Sequence, residues 1–163
     1  MDTVIRPAAP DDLPEILTLL KQSSLPIAGI ERHIATILAA RQDDTIVGCA
    51  AVEVYGAAGL LRSVAVAKDR RGIGLGQQLT RAALELARSR GMTTVYLLTT
   101  TADGFFPRFG FERIPRELID PALEASEELR GACPASAVAM RTNLNTSFPP
   151  SRRSSSRPPA PRG

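Results

Sequence analysis

Six consecutive residues, Arg71-Gly72-Ile73-Gly74-Leu75-Gly76, carry the clearest chemical signal in this chain. They follow an apolar, strand-like run, Leu60 to Val66, and a short polar turn, and they open a helix-like segment. Without a Cβ, glycine lets the backbone approach an anion closely. The first N–H groups of a helix have no internal partner, and the helix dipole favours negative charge in front of them. The chemistry is that of a phosphate cradle, with a diphosphate-bearing molecule as its natural guest. A dinucleotide fingerprint starting at Gly72 needs glycine where the chain has Gln77, and a Walker-type loop needs Gly-Lys-Ser/Thr, which is absent. What remains is Arg-x-x-Gly-x-Gly after an apolar strand.

A second motif, Phe105-Phe106-Pro107-Arg108-Phe109-Gly110-Phe111, follows about thirty residues later, after another strand. Taken alone, Phe105 and Phe109 at i,i+4 on a short helix read as core. Taken with the glycine loop, the chain resembles the GNAT superfamily of N-acetyltransferases over about residues 3 to 142. Within it, the chain is similar to the arsenic-resistance N-acetyltransferases. The matching stretches are Val47-Gly48-Cys49-Ala50, Glu53-Val54-Tyr55-Gly56, Leu60-Leu61-Arg62-Ser63-Val64-Ala65-Val66, Tyr96-Leu97-Leu98-Thr99-Thr100-Thr101 and Cys133-Pro134-Ala135-Ser136-Ala137. The resemblance implies a mixed, mostly antiparallel central sheet flanked by helices, an α/β (α+β) fold. It also implies acetyl-CoA as co-substrate, no metal, and direct attack of a small amine on the thioester. One residue departs from the pattern. Superfamily members often have Tyr as the second aromatic, where it protonates the departing CoA thiolate; here Phe106 has no proton to give. Thr99, Thr100, Ser63 or a water stands in its place, and the sequence does not choose among them.

The resemblance assigns the cofactor side to backbone groups of Val64, Ala65 and Val66, which orient the pantetheine and polarise the carbonyl. Arg71 and the amides around Gly72, Gly74, Leu75 and Gly76 hold the pyrophosphate, and Phe106 lines the same site. A protonated amine cannot attack, so a base or a water must take its proton. Glu53 is the candidate base or amine anchor: an acid inside an apolar strand is unusual, and a raised pKa is expected there. Alternation puts Glu53 and Tyr55 on one face and Val52 and Val54 on the other. Tyr55, Arg62 and Thr100 are candidate substrate contacts, Arg62 for a carboxylate or oxyanion. The bland readings, a solvent-facing Glu53 and a surface Arg62, weigh about the same. His33, the only histidine, reads as structural. Cys49 and Cys133 read as small buried residues before they read as soft ligands for arsenic.

These side chains need elements to carry them. Thr3 to Arg6 reads as a strand, and Pro10 opens a helix to about Gln22 on Leu13, Ile16, Leu17 and Leu20. Gly29 opens a second helical segment with Ile30, Ile34, Ile37 and Leu38 on one face. Thr45 to Val54 and Leu60 to Val66 form a hairpin around a longer loop, Tyr55 to Gly59. A long helix follows the glycine loop and stops at Gly91. Thr93 to Thr99 is a strand, Asp103 caps a short helix through Phe109, and Phe111 to Ile114 is a strand. Asp120 caps a helix from Pro121 to about Leu129, and Ala135 to Arg141 is the last strand. Alternating helices and strands suit helices packed on a mixed sheet.

With 163 residues and 44% hydrophobic content, one packed domain is expected, residues 1–144. The formal charge of +3 sits in residues 145–163, a Ser/Arg/Pro-rich tail with four arginines and no acid; the remainder is about −1. That distribution argues against a nucleic-acid partner, and the tail's composition reads as disordered. The two cysteines have no metal-ligand spacing. No run of eighteen apolar residues exists, so no membrane span is expected. Met1-Asp2-Thr3 leads into a short strand, not an apolar leader, and a reduced, cytoplasmic setting is expected. The partner is a small-molecule amine, and a homodimer stays open. Two other classes remain beside the enzyme: a non-catalytic acyl-CoA-binding sensor or interaction module, and an acetyltransferase of protein termini or lysines.

Overall fold

The computed structural model describes residues 3–126, 129 and 136–144. Cys133 and the tail from 145 lie outside them. A seven-stranded sheet carries the fold, in the order β1-β2-β3-β4-β5-β7-β6. Its strands are β1 (Thr3–Pro7), β2 (Ile37–Gln42), β3 (Thr45–Tyr55), β4 (Ala58–Val66), β5 (Thr94–Thr99), β6 (Glu112–Ile114) and β7 (Val138–Asn143). Every neighbouring pair is antiparallel except β4–β5. Two helices, α1 (Leu13–Gln22) and α2 (Leu75–Ser89), cover opposite faces. The mixed, mostly antiparallel architecture is the expected one.

Strand β2 departs from the expectation: Ile37 and Leu38 lie on a strand, not on the second helical segment. The preceding segment is a 3-10 helix, Ile30–Thr36, that ends where Ile37 turns extended. The run Ile37-Leu38-Ala39-Ala40 is apolar on both faces. Ile37 and Ala39 pack under α1, while Leu38 and Ala40 pack under α2. A strand buried on both sides has no alternation, so periodicity alone cannot separate it from a helix. The hairpin is also tighter than expected. Strand β3 runs to Tyr55 and β4 starts at Ala58, leaving Gly56 and Ala57 as the turn, with Gly56 at φ 66°. Glycine at the first of two central positions suits such a turn.

Three shorter segments also differ. Around the second motif only Phe106–Phe109 is helical, a 3-10 turn that starts after Phe105, and no side chain caps it. The helix expected from Pro121 stops at Ala125, because Ser126 is extended; Asp120 does cap it, accepting from the Ala122 N–H at 2.9 Å. Helix α2 ends as expected at Gly91, φ 86°, with the Met92 N–H bonded back to the Ala87 carbonyl at 3.0 Å.

The feature that makes room for a site is the β4–β5 junction. These strands pair in parallel only at Ala58–Thr94, Gly59–Val95 and Leu60–Tyr96. Beyond Leu60 they part, and the sheet opens into a fork. At the closed end β4 packs against Met92: a Cβ on Gly59 would stand 2.3 Å from the Met92 sulfur.

Gly110 closes the 3-10 turn of the aromatic motif at φ 88°, and a Cβ there would stand 2.9 Å from Thr142 Oγ1. Both the backbone conformation and the packing require glycine. Gly110→Ala is expected to lower stability by roughly 1–3 kcal/mol in urea unfolding. Gly104→Ala meets nothing within 4 Å at an ordinary φ and is expected to leave the midpoint nearly unchanged.

Candidate active site

One cavity of about 1210 Å³ occupies the fork between β4 and β5. Arg62 to Val66 form one wall and Leu97 to Ala102 the other. The glycine loop and the start of α2 close one end, and Ser23 to Pro26, after α1, line part of the rim.

At the loop end, Gly72 and Gly74 sit at φ 87° and 85°, and a Cβ on either would meet nothing within 4 Å. Their requirement is conformational, and the space beside them is open. Gly74 is the N-cap of α2. The first bond back into the helix comes from Gln78, to the Gly74 carbonyl at 3.1 Å, so the Leu75, Gly76 and Gln77 amides precede the helical ladder. Gly76 lies close under Phe105 and Val66, each 3.7 Å from where a Cβ would be. Arg71 donates from Nε to the Val66 carbonyl at 3.0 Å and stands exposed at the rim, and Arg70 and Arg108 line the cavity too. Arg108 lies over the Phe105 ring, 4.8 Å from its centre. Open backbone amides with Arg71 and Arg108 beside them fit a pyrophosphate group, while Arg70 is held by Asp69 at 2.9 Å and by Gln42 at 2.5 Å.

Midway along the β4 wall the strand is bulged. Ala51 pairs with Arg62 and Cys49 with Ala65, so Ser63 and Val64 together oppose Ala50. Ser63 takes the left-handed conformation, φ 59°. A bulge bends its strand and re-aims the groups it carries. The Ser63 carbonyl is satisfied by the buried Cys49 thiol at 3.2 Å. Burial pushes that thiol up to about 12, so it stays a neutral S–H donor.

Behind the β4 wall lies a polar cluster. Glu53, fully buried, accepts from Arg62 at 2.7 Å and from the Tyr55 hydroxyl at 2.5 Å. His33 Nε2 stands 3.7 Å from the same carboxylate. Arg62 is buried as well, donating to the Ala28 carbonyl at 2.8 Å, the Pro26 carbonyl at 3.1 Å and the Ser63 hydroxyl at 3.1 Å. The cluster sits where the apolar patch under α1 meets a second patch of Ala58, Leu60, Tyr96 and Leu123.

The structure therefore sorts the expected residues. Val64, Ala65, Val66, Arg71, Gly72, Gly74, Leu75, Gly76 and Phe106 all line the one cavity, as do Arg62 and Thr100. Glu53 and Tyr55 share a face as expected, but neither forms part of the described cavity wall. Glu53 is not the solvent-facing acid of the bland reading, and its carboxyl is not raised. Burial pushes it up, but hydrogen bonds from Tyr55, Arg62 and Ser126 and the nearby His33 outweigh that and hold it below the usual range. Arg62 is no surface residue, and the bonds just given hold it to protein groups instead of leaving it to wait for a substrate anion. Tyr55 is pushed upward by burial and by Glu53, so it remains a donor. His33, read as structural, belongs to the cluster. Sequence reasoning missed the bulge, the Cys49 contact, and Ser23 to Pro26; none has a local signal, because each depends on which strand lies alongside.

Residues 33–113 match the family described as the acetyltransferase (GNAT) domain. An amino-acid acetyltransferase of Mycobacterium tuberculosis is 30% identical over 122 residues, covering 68% of this chain and 69% of that protein. An uncharacterized N-acetyltransferase of Chlorobaculum tepidum is 31% identical over 100 residues, 61% of this chain. The chain covers only 62% of that relative's length. Among solved structures, N-acetylglutamate synthase from Neisseria gonorrhoeae, complexed with coenzyme A and N-acetyl-glutamate, superposes with a TM-score of 0.76 at 21% identity. It covers 90% of this chain and 36% of the synthase chain, a likeness of fold.

The titrating groups of the cluster set a direction for acid stability. Burial, the largest cause, lowers His33 from 6.5; Glu53 nearby opposes this, and Arg62 adds to it. The unfolded chain then binds a proton first, and stability falls as pH drops below about 6.5. Glu53, held below its unfolded value of 4.5, contributes stability above that pH, lost as pH falls through the lower folded value. Both signs agree. Urea midpoints are expected to fall from pH 7 toward pH 4, and His33→Gln is expected to remove the upper part of that fall. A wild-type curve flat between those limits would contradict the assignment.

Proposed function

This chain belongs to the GNAT acetyltransferase family, and on that premise we propose that it transfers an acetyl group from acetyl-CoA to the amine of a small, amino-acid-like molecule. The observation that carries the reading is the continuity of one cavity from the anion cradle at Gly72 and Gly74 to the bulged β4 wall at Ser63. A cofactor with a phosphate-rich end and a reactive far end needs that arrangement. Acetyl-CoA supplies an acetyl group already activated as a thioester. The residues of this chain do the rest. Arg71, Gly72, Gly74, Leu75 and Gly76 hold the phosphates, and Val64 to Val66 present backbone groups to the pantetheine. Ser23 to Pro26, together with Thr100, form the acceptor rim.

Amino-acid acetylation is supported by the name of the Mycobacterium tuberculosis relative and by a rim lined with Ser23, Ser24, Leu25 and Pro26 and no acid among the described residues. The resemblance to arsenic-resistance N-acetyltransferases adds one acceptor to the class: an arsenical amino acid offers the same α-amino group. For Glu53 the low carboxyl and its place behind Arg62, outside the cavity wall, support a role in holding Arg62 and Tyr55 instead of touching the amine, with the amine proton passing to water. A non-catalytic acyl-CoA-binding module is the second reading, favoured by Phe106 alone.

The test is thiol release from acetyl-CoA with a panel of L-amino acids, an arsenical amino acid and a lysine peptide, with products identified by mass spectrometry. Release with at least one free amino acid, and none with its N-acetylated form, is the expected result. Tight CoA binding without turnover of any amine would favour the binding module. Gly74→Asp puts a negative charge in the cradle, and the positive φ of 85° adds some strain. At a temperature where the variant stays folded, CoA affinity is expected to fall at least about tenfold by calorimetry relative to Gly74→Asn, which carries the same strain without the charge; equal affinity of the two variants and the wild type would sink the cradle.

A further inference from the structure

Phe106 leaves the leaving group without a phenol, and three cavity-lining hydroxyls, those of Thr99, Thr100 and Ser63, are the sequence candidates to replace it. The structure separates them. Thr100 is exposed at the bend after β5. Thr99 is half-buried, and its hydroxyl oxygen accepts the Ala102 N–H at 2.9 Å, which shapes that bend. Ser63 is 8% exposed, lines the cavity, and sits at the bulge with φ 59°. Its Oγ accepts from Nε of Arg62 at 3.1 Å. Among the described residues no acceptor takes the Ser63 hydroxyl hydrogen. A buried donor without a partner is unfavourable unless water or a ligand meets it. Receiving a bond from a cation also polarises the O–H beyond what a backbone amide does for Thr99.

We propose that the Ser63 hydroxyl, polarised by Arg62, is the hydrogen-bond donor to the departing sulfur of CoA, the place that Phe106 cannot fill. The inference rests on the acetyltransferase reading above. In the reaction the amine lone pair forms the N–C bond, the C–S bonding pair leaves on sulfur, and the surplus amine proton passes to water. The thiolate accepts the Ser63 hydrogen bond and takes its own proton from solvent on release. Ser63 keeps its hydrogen, because a thiol of pKa about 8.5 is far more acidic than a serine hydroxyl.

A donor aimed at sulfur favours the thiolate of bound CoA, and this can be read without knowing the acceptor. Calorimetry of the full chain with CoA and with S-methyl-CoA, from about pH 7 to about pH 10, spans the thiol's ionisation. S-methyl-CoA cannot ionise. For the wild type, the ratio of CoA to S-methyl-CoA affinity is expected to rise about tenfold or more toward alkaline pH. Ser63→Ala should flatten the ratio. Ser63→Gly should do the same while suiting the positive φ, which separates the hydroxyl from backbone strain. Adding Phe106→Tyr to Ser63→Ala should restore the rise. Three results would overturn the proposal: a flat ratio in a wild type that binds both ligands, a wild-type ratio in both Ser63 variants, or loss of the rise in Thr99→Val alone. If the wild type binds neither ligand, the acetyltransferase reading falls with it.

Discussion

A single guanidinium, that of Arg62, ties three parts of the molecule together with directional bonds. It balances Glu53 on β3, holds the carbonyls of Pro26 and Ala28 in the loop after α1, and props the Ser63 hydroxyl at the bulge of its own strand. Both charges are fully removed from water. Burying two ions costs several kcal/mol each unless geometry and further hydrogen bonds offset it; with one partner removed, the other is left uncompensated, at a cost of about 3–5 kcal/mol. Every acceptor that Arg62 meets is therefore under constraint, and the loop, the strand and the bulge are positioned together. Tyr55 completes the carboxylate from its other oxygen.

The position of this cluster follows from the apolar patches on either side. One lies beneath α1, with Ile16, Leu19, Leu20, Ile37 and Ala51. The other is built on Leu60, Tyr96 and Leu123. The far face of the sheet is one continuous core with α2. Hydrophobic burial is non-directional, so it brings the layers together without fixing how β4 is angled. The ion pair and the bulge supply direction. Strand β4 must leave β5 after Leu60, and the bulge lets it bend while keeping its pairing with β3.

The glycine loop and the aromatic motif were legible in sequence because each is a local device. Positive φ at Gly72, Gly74 and Gly110 selects glycine at those positions regardless of the rest of the chain. The same holds for the stop at Gly91 and the cap at Asp120. Strand β2 was not legible, since burial on both faces erases the alternation that marks a strand. Glu53 was found as an acid in an apolar strand, but its chemistry was misjudged. Sequence gives the desolvation that raises a carboxyl and hides the partners that lower it; Arg62 lies nine residues away and meets Glu53 only through the hairpin register. Ser63 was one hydroxyl among several until the register shift and Arg62 distinguished it.

The two walls of the cavity are built by different physics, and this bears on where a donor can stand. On the β5 side, Phe105, Phe106, Phe109 and Phe111 pack ring against ring, with centroids 5.0, 5.4 and 5.7 Å apart in successive contacts. Edge-to-face rings are rigid, apolar and without spare donors. On the β4 side the wall is polar, backed by a buried cation and bent at Ser63. With Phe at position 106 the aromatic rings carry no hydroxyl, and the hydroxyl bonded to a buried cation, Ser63, stands across the fork. On the Ser63 proposal, the donor that the family's pattern places in the aromatic motif is supplied from the opposite wall of the same cavity.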